Sequence, residues 1–229
     1  MLEPTRKGPV TMVSDAPGMD GASDTTATQV GQRVAGLRQR AGADPSGAAT
    51  DTWAWFTDLA AAGSKSEAEL NELFRTGSPP TDLDGPTEGI LVTTTTNKVL
   101  DPAVAAVTKL WMPWQGKRFD ASSGTGDNRI TSSGRIASKL LWPLYSMKDA
   151  AEGKLAFDFH TYVDDGKDDP DRRVMVIDYK DVEKNPTLVI RSVRDELVEI
   201  VPGAYLGKIL YRLSSGSHEL IGFFALRTP

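Results

Sequence analysis

Two histidines occur in this 229-residue chain, His160 and His218, and one of them sits where it could do chemistry. Along residues 154–163, Asp158, His160 and Tyr162 alternate, so an extended backbone sets a carboxylate, an imidazole and a phenol on one side. Such a trio could move protons, and His160 could instead ligate a haem iron; a strand histidine can also be merely solvated. Tyr205, Asp178 and Glu196 are the other acid–base candidates. With so few histidines, no Ser-His-Asp set can be assembled.

Groups suited to binding are more numerous. Lys117 and Arg118 stand beside Gly116 and the tryptophans Trp111 and Trp114, a setting that could anchor an anionic head group. Along residues 188–200, Val189, Arg191, Val193, Asp195, Leu197 and Glu199 fall on one alternating face, and Ile190, Ser192, Arg194, Glu196, Val198 and Ile200 on the other. Neither face is purely apolar. Either a bulge rotates the pattern, or one charged set points inward, where Arg191 or Arg194 could grip a carboxylate or phosphate bidentately. A structural Arg–Glu pair or an exposed edge laced with ion pairs is the competing reading. Ser123-Gly124-Thr125-Gly126 is a loop, because Arg129 stands where a dinucleotide fingerprint needs its third glycine. The acidic loop 164–171 lacks the glycine and glutamate spacing of a calcium-binding EF-hand. No metal site and no cofactor is indicated.

These side chains need a scaffold, and the last third of the chain supplies its pattern. Five β-patterned runs, 154–163, 173–179, 187–201, 205–213 and 219–227, follow one another between Gly, Pro, Asp and Ser clusters. Runs so spaced predict an antiparallel sheet curled into a closed or nearly closed β-barrel, mainly β in class. Val174 to Ile177 could be buried on both faces. A barrel of this size has an interior that side chains fill or that holds one small ligand. Trp111, Trp114, Phe119, Trp142 and Tyr145 are candidates to line it, with Phe157, Phe159, Tyr205, Tyr211 and Phe223 from the β runs. They either enclose volume or pack it.

Upstream, residues 1–48 are poor in large apolar side chains and read as a flexible arm. Within it Val30, Val34 and Leu37 mark a short weak helix over 26–40. The barrel domain then spans 49–229, opening with a helical pair over 49–77. Asp51 is placed to cap the first helix and Gly63 to end it; Ser66 and Glu69 have capping-box spacing for the second, and Gly77 stops it. Trp53 and Trp55 are suited to docking this pair on the barrel, or to lying as a lid over it. A strand over 90–96 follows, then a helix begun by Asp101-Pro102 and carried by Val104, Val107 and Leu110.

Composition narrows the partners. Hydrophobic residues are 39% of the chain, and 26 basic residues against 31 acidic ones leave a net charge of −5. No basic stripe exists to neutralise a phosphate backbone, so nucleic acid is not an expected partner. Cysteine is absent, which removes disulfides, thiolate nucleophiles and cysteine-bound metals. No signal peptide can be drawn and no eighteen-residue apolar run occurs, so a soluble, cytoplasmic protein is the expectation, of unknown oligomeric state.

Trp111-Met112-Pro113-Trp114-Gln115-Gly116-Lys117-Arg118-Phe119-Asp120, then Val176-Ile177-Asp178-Tyr179, Pro202-Gly203-Ala204-Tyr205-Leu206-Gly207-Lys208 and Phe223-Phe224-Ala225-Leu226, resemble uncharacterised bacterial proteins related to the GXWXG family. The resemblance covers about residues 73–227. It implies a small calycin-like β-barrel and supplies no catalytic residue. The leading expectation is thus a barrel that binds an apolar or amphipathic small molecule, a lipid-like or a polyketide- or terpenoid-like metabolite, with arginine orienting its polar end. A barrel enzyme acting on a hydrophobic metabolite as a cyclase, isomerase or hydrolase, a haem-binding barrel using His160, and a purely structural or interaction module are the alternatives.

Overall fold

The computed structural model describes residues 20–95, 114–131, 145–150, 153–187 and 189–229. Three helices come first: α1 (Asp20–Ala41), α2 (Pro45–Ala62) and α3 (Glu67–Thr76). The strands are β1 (Gly85–Pro86), β2 (Glu88–Thr94), β3 (Trp114–Asp120), β4 (Thr125–Ile130), β5 (Lys148–Ala150), β6 (Gly153–Asp165), β7 (Arg173–Asp178), β8 (Val193–Val201), β9 (Ala204–Arg212) and β10 (His218–Arg227). They form one antiparallel sheet in the order β1-β3-β4-β6-β7-β8-β9-β10-β2, with β5 paired beside β6.

The two ends of that order are one stretch of chain. β1 pairs with β3 and β2 pairs with β10, and only Thr87 separates β1 from β2. The Thr87 N–H donates to the Lys117 carbonyl at 2.8 Å, and the Lys117 N–H donates to Thr87 Oγ1 at 3.1 Å. The sheet thereby becomes a nearly closed barrel of nine strands. Gly116 makes the seam possible. Its φ of +135° is open to glycine, and a Cβ there would lie 2.2 Å from the Thr87 carbonyl oxygen.

Both faces of half the sheet are buried. Inside the barrel lie Phe119, Phe159, Ile177, Leu197, Tyr205 and Phe224. Outside, Val174, Val176, Val198, Ile200, Leu206 and Phe223 pack beneath Val34, Trp55, Phe56, Leu70, Leu73 and Phe74 of the helices. Val174, Val176 and Ile177 are fully buried, as the unbroken apolar run of β7 predicts. Phe223 belongs to this outer layer and does not line the interior.

The N-terminal region departs from its sequence reading. Residues 20–48, assigned to an arm by composition, form α1 and the start of α2. Val30 and Val34 are buried, and polar contacts supplement this thin apolar stripe. Arg38 donates to the Ile200 carbonyl at 3.0 Å and the Thr76 carbonyl at 2.7 Å, and Arg33 lies 4.0 Å over the Trp55 ring. Asp44, with Pro45 in the first turn, caps α2 by accepting the Gly47 N–H at 2.9 Å; Asp51 lies inside the helix and pairs with Arg40. Ser66 makes no side-chain cap, and Glu69 instead accepts the Trp55 indole N–H at 2.8 Å. Trp55 thus docks the helices. Gly63 and Gly77 end α2 and α3 as expected. The helix expected from Asp101, together with residues 1–19, lies outside the described residues. Among those described, no helix is long and apolar enough to cross a membrane.

Candidate functional site

Seven strands contribute to one cavity inside the barrel. Trp114 and Lys117 come from β3, Asn128 and Ile130 from β4, Phe157 from β6, Val193 and Asp195 from β8, Ile209 from β9, Phe224 from β10 and Leu91 from β2, with Tyr179 just beyond β7 and Ile190 in the turn before β8. The enclosed space is about 50 Å³, room for a few water molecules or a small group, and the empty volume reaches about 610 Å³ only when the open mouth is counted. Eight of these side chains are apolar or aromatic walls. The other four, Lys117, Asn128, Tyr179 and Asp195, form a hydrogen-bonded cluster.

All but one of the side-chain polar atoms of that cluster have partners. Lys117 Nζ donates to Asn128 Oδ1 at 3.0 Å, to Tyr179 Oη at 2.6 Å and to Asp195 Oδ2 at 2.8 Å. An ammonium has three protons, so its capacity is used up. Asn128 Oδ1 also accepts the Trp114 indole N–H at 3.1 Å, while Asn128 Nδ2 donates to the Phe157 carbonyl at 3.1 Å and to Tyr179 Oη at 3.3 Å. The Tyr179 hydroxyl donates to Asp195 Oδ2 at 3.0 Å. Asp195 Oδ1 receives no hydrogen bond from any described residue, although Asp195 is 3% exposed.

The surroundings favour this ion pair while opposing its solvation. Lys117 Nζ lies 5.1 to 5.7 Å from the ring centres of Phe224, Phe159, Tyr179 and Trp114, within cation–π range of each. Burial pushes the Lys117 ammonium below its ordinary range, and the Asp195 carboxylate opposes that shift. Burial also holds the Tyr179 phenol well above its ordinary value, with Asp195 adding to the rise. Tyr179 is therefore a proton donor, not a phenolate.

Local backbone shapes the walls. Phe157 has a φ of +52°, breaking the alternation of β6 so that Ala156, Phe157 and Phe159 all join the interior. Tyr145 holds this kink, stacking on the Phe157 ring at 5.1 Å while its hydroxyl accepts the Phe157 N–H at 2.6 Å. Across β9 and β10, Gly207 stands opposite Phe224, and a Cβ there would meet the Phe224 ring at 2.2 Å. Its absence lets that ring lie on the sheet and form the cavity wall.

Of the binding residues inferred from sequence, Trp114, Lys117 and Phe157 reach the cavity. Phe119, Phe159 and Tyr205 belong to the interior packing, and Tyr211 packs on it half-buried; none lines the space. Trp111 and Trp142 lie outside the described residues. The arginines are corrected most. Arg118 points outward to Asp127 at 2.5 Å; Arg191 sits in a 3-10 turn, Ile190–Ser192, bonded to the Asn185 and Glu183 carbonyls. A positive φ of 73° at Val189 creates that turn and delays the strand to Val193. Arg194 faces outward and pairs with Glu196 at 2.9 Å, a buried Arg–Glu pair on the outer face. The charge that enters the barrel from β8 is Asp195.

The acid–base candidates do not converge. His160 is exposed on β6 and lines no part of the cavity, which removes it as an interior haem ligand. Asp178 accepts the Tyr162 hydroxyl at 3.1 Å near the surface, and Glu196 accepts the Lys167 N–H at 2.8 Å. Tyr205 is buried beside Glu199 and pushed up to about 12, chiefly by burial. Asn128, Tyr179 and Asp195 are the site residues that sequence reasoning passed over. For Asp195 a signal existed, since it shares an alternating face with Val193 and Leu197.

No family model matches this chain, and no curated protein does. Among solved structures, one described as a crystal structure of protein from Thermomonospora curvata aligns with a TM-score of 0.40 and 16% identity, over 75% of this chain and 93% of that one.

Proposed function

We propose that this protein is a cytoplasmic, calycin-like barrel that binds an apolar or amphipathic small molecule, with the cluster of Lys117, Asn128, Tyr179 and Asp195 orienting the polar end. The observation that carries the reading is the cavity itself: apolar and aromatic walls around a few convergent polar groups, the usual composition of a ligand site. Asp195, held in place by Lys117, takes the orienting role expected of arginine. Kinship with GXWXG-related proteins belongs to the same proposal, since Trp114, Gly116, Lys117 and Tyr179, which carry the resemblance, build the seam and the polar cluster.

Native mass spectrometry of protein purified from cells, followed by titration with apolar compounds, tests the reading. Co-purified mass or saturable uptake supports it. Val193→Phe, which fills the space from β8, should abolish uptake while leaving the fold intact. A wild-type barrel that takes up nothing, or a filled variant that binds as well as wild type, would sink it.

A second reading has support from the same atoms. Asp195 Oδ1 is a free basic site beside two groups with displaced proton affinities, Lys117 and Tyr179, so the cluster could also shift a proton on a bound metabolite. Product appearing on incubation with the co-purified compound, and its loss in Tyr179→Phe, would favour this enzymatic reading over simple binding.

A further inference from the structure

Resting on the small-molecule reading above, we infer the chemical class of the group that the ligand presents to the polar cluster: an uncharged hydrogen-bond donor, an alcohol or phenol, received by Oδ1 of Asp195.

The inference follows from a complete count of donors and acceptors. Lys117 has no proton left after Asn128, Tyr179 and Asp195. Both protons of Asn128 are committed to the Phe157 carbonyl and Tyr179, the Tyr179 proton to Asp195, and the Trp114 indole proton to Asn128. No N–H or O–H of the cluster is free to receive a carbonyl, ether or carboxylate oxygen from a ligand. What is free is an acceptor. Asp195 Oδ1 is buried without a described partner, and Asp195 lines the cavity together with Val193, Ile209 and Phe224. A carboxylate oxygen left so in an apolar cavity carries a desolvation penalty that a bound hydroxyl relieves.

Charge sharpens the choice. An anionic head would meet the Asp195 carboxylate at close range with no donor to offset the repulsion. A cationic head would satisfy Oδ1 but would share its carboxylate with the Lys117 ammonium, already placed among the aromatic rings. The neutral donor alone satisfies the open atom without adding a like charge to either partner.

The test uses the wild-type chain and three matched probes, 4-butylphenol, 4-butylanisole and 4-butylbenzoate, titrated by calorimetry at neutral pH. The phenol should bind about tenfold or more tighter than the anisole, the margin of a hydrogen bond to a charged acceptor, and the benzoate more weakly than both. Equal affinities for phenol and anisole, or tightest binding by the benzoate, would overturn the head-group inference and leave the cavity reading standing. Binding of none of the three would remove the cavity reading, and this inference with it. A second measurement uses Asp195→Asn, whose amide oxygen can keep Lys117 and Tyr179 while an N–H replaces the open acceptor. The phenol preference should vanish there; its persistence would show that the donor is received elsewhere. Should that variant not fold, the wild-type comparison decides alone.

Discussion

Lys117 Nζ and Asp195 Oδ2 stand 2.8 Å apart, yet their strands, β3 and β8, share no ladder in the sheet. Their ion pair crosses the barrel interior. It braces opposite walls in a place where backbone pairing cannot, and it does so with both side chains about 95% or more buried.

Removing one partner should therefore cost more than removing both. Lys117→Met leaves a buried, uncompensated carboxylate and is expected to destabilise the fold by about 3 to 5 kcal/mol. The double variant Lys117→Met, Asp195→Leu should recover a large part of that loss. Urea unfolding of the two single variants and the double variant gives the coupling directly, and additive losses would show that the pair does not act as a unit.

Alkaline pH should weaken the protein through its tyrosines. Tyr145 and Tyr205 are raised from 10.0 to about 12, mainly by burial. Their contribution is complete below the unfolded value and is lost as pH climbs through the folded one, so the urea midpoint should fall between pH 10 and 12. Lys117 acts in the opposite sense, because its folded value is lowered: the unfolded chain holds that proton longer, and stability gains as pH rises toward 10.5. Tyr205→Phe should flatten the decline above pH 10.5. An unchanged slope would mean that Tyr205 does not carry it.

Two glycine-to-alanine substitutions should have opposite signs. Gly116→Ala forces a Cβ onto the Thr87 carbonyl at a φ of +135° and should destabilise by at least about 2 kcal/mol. Gly36→Ala lies in the exposed interior of α1 with nothing within 4 Å of the new methyl, and should stabilise by about 0.5 to 1 kcal/mol. Thermal unfolding of both variants checks the pair.

Lys208 on β9 holds the acidic loop to the outer wall. Its ammonium is 1% exposed and pairs with Asp168 and with Asp169 at 2.7 Å, while Arg75 of α3 reaches Asp169 at 2.6 Å and Asp171 at 2.9 Å. Lys208→Met should cost about 3 kcal/mol and open residues 166–172 to limited proteolysis ahead of global unfolding. Cleavage at the wild-type rate would show that Arg75 alone secures the loop.

The legible parts of this fold were those where one period decides. The apolar run of β7 announces burial on both sides, and the turn clusters between β6 and β10 mark the hairpins. Period two sorts β8 into faces but cannot say which face is interior when both are covered, so it leaves open that the inward charge is Asp195 and not an arginine. Phe157 breaks its own period through a backbone conformation that its side chain does not advertise. Asn128 and Tyr179 lie 51 positions apart in sequence, with no local spacing to connect them. The cap of α2 was legible, since Asp44 precedes Pro45; the large apolar residues begin only after Asp51, which is why the apolar pattern places the helix start too late.

Because β10 is shared between β9, its hairpin neighbour, and β2, more than a hundred residues earlier, the cylinder stays an open curled ribbon until that late segment docks. Closing so long a loop carries an entropic cost, and the cavity has its full wall only once that strand is in place. A nascent chain still lacking residues 218–227 has neither the Phe224 wall nor the ladders that join β9 to β2, so the interior is enclosed only after the final strand is made.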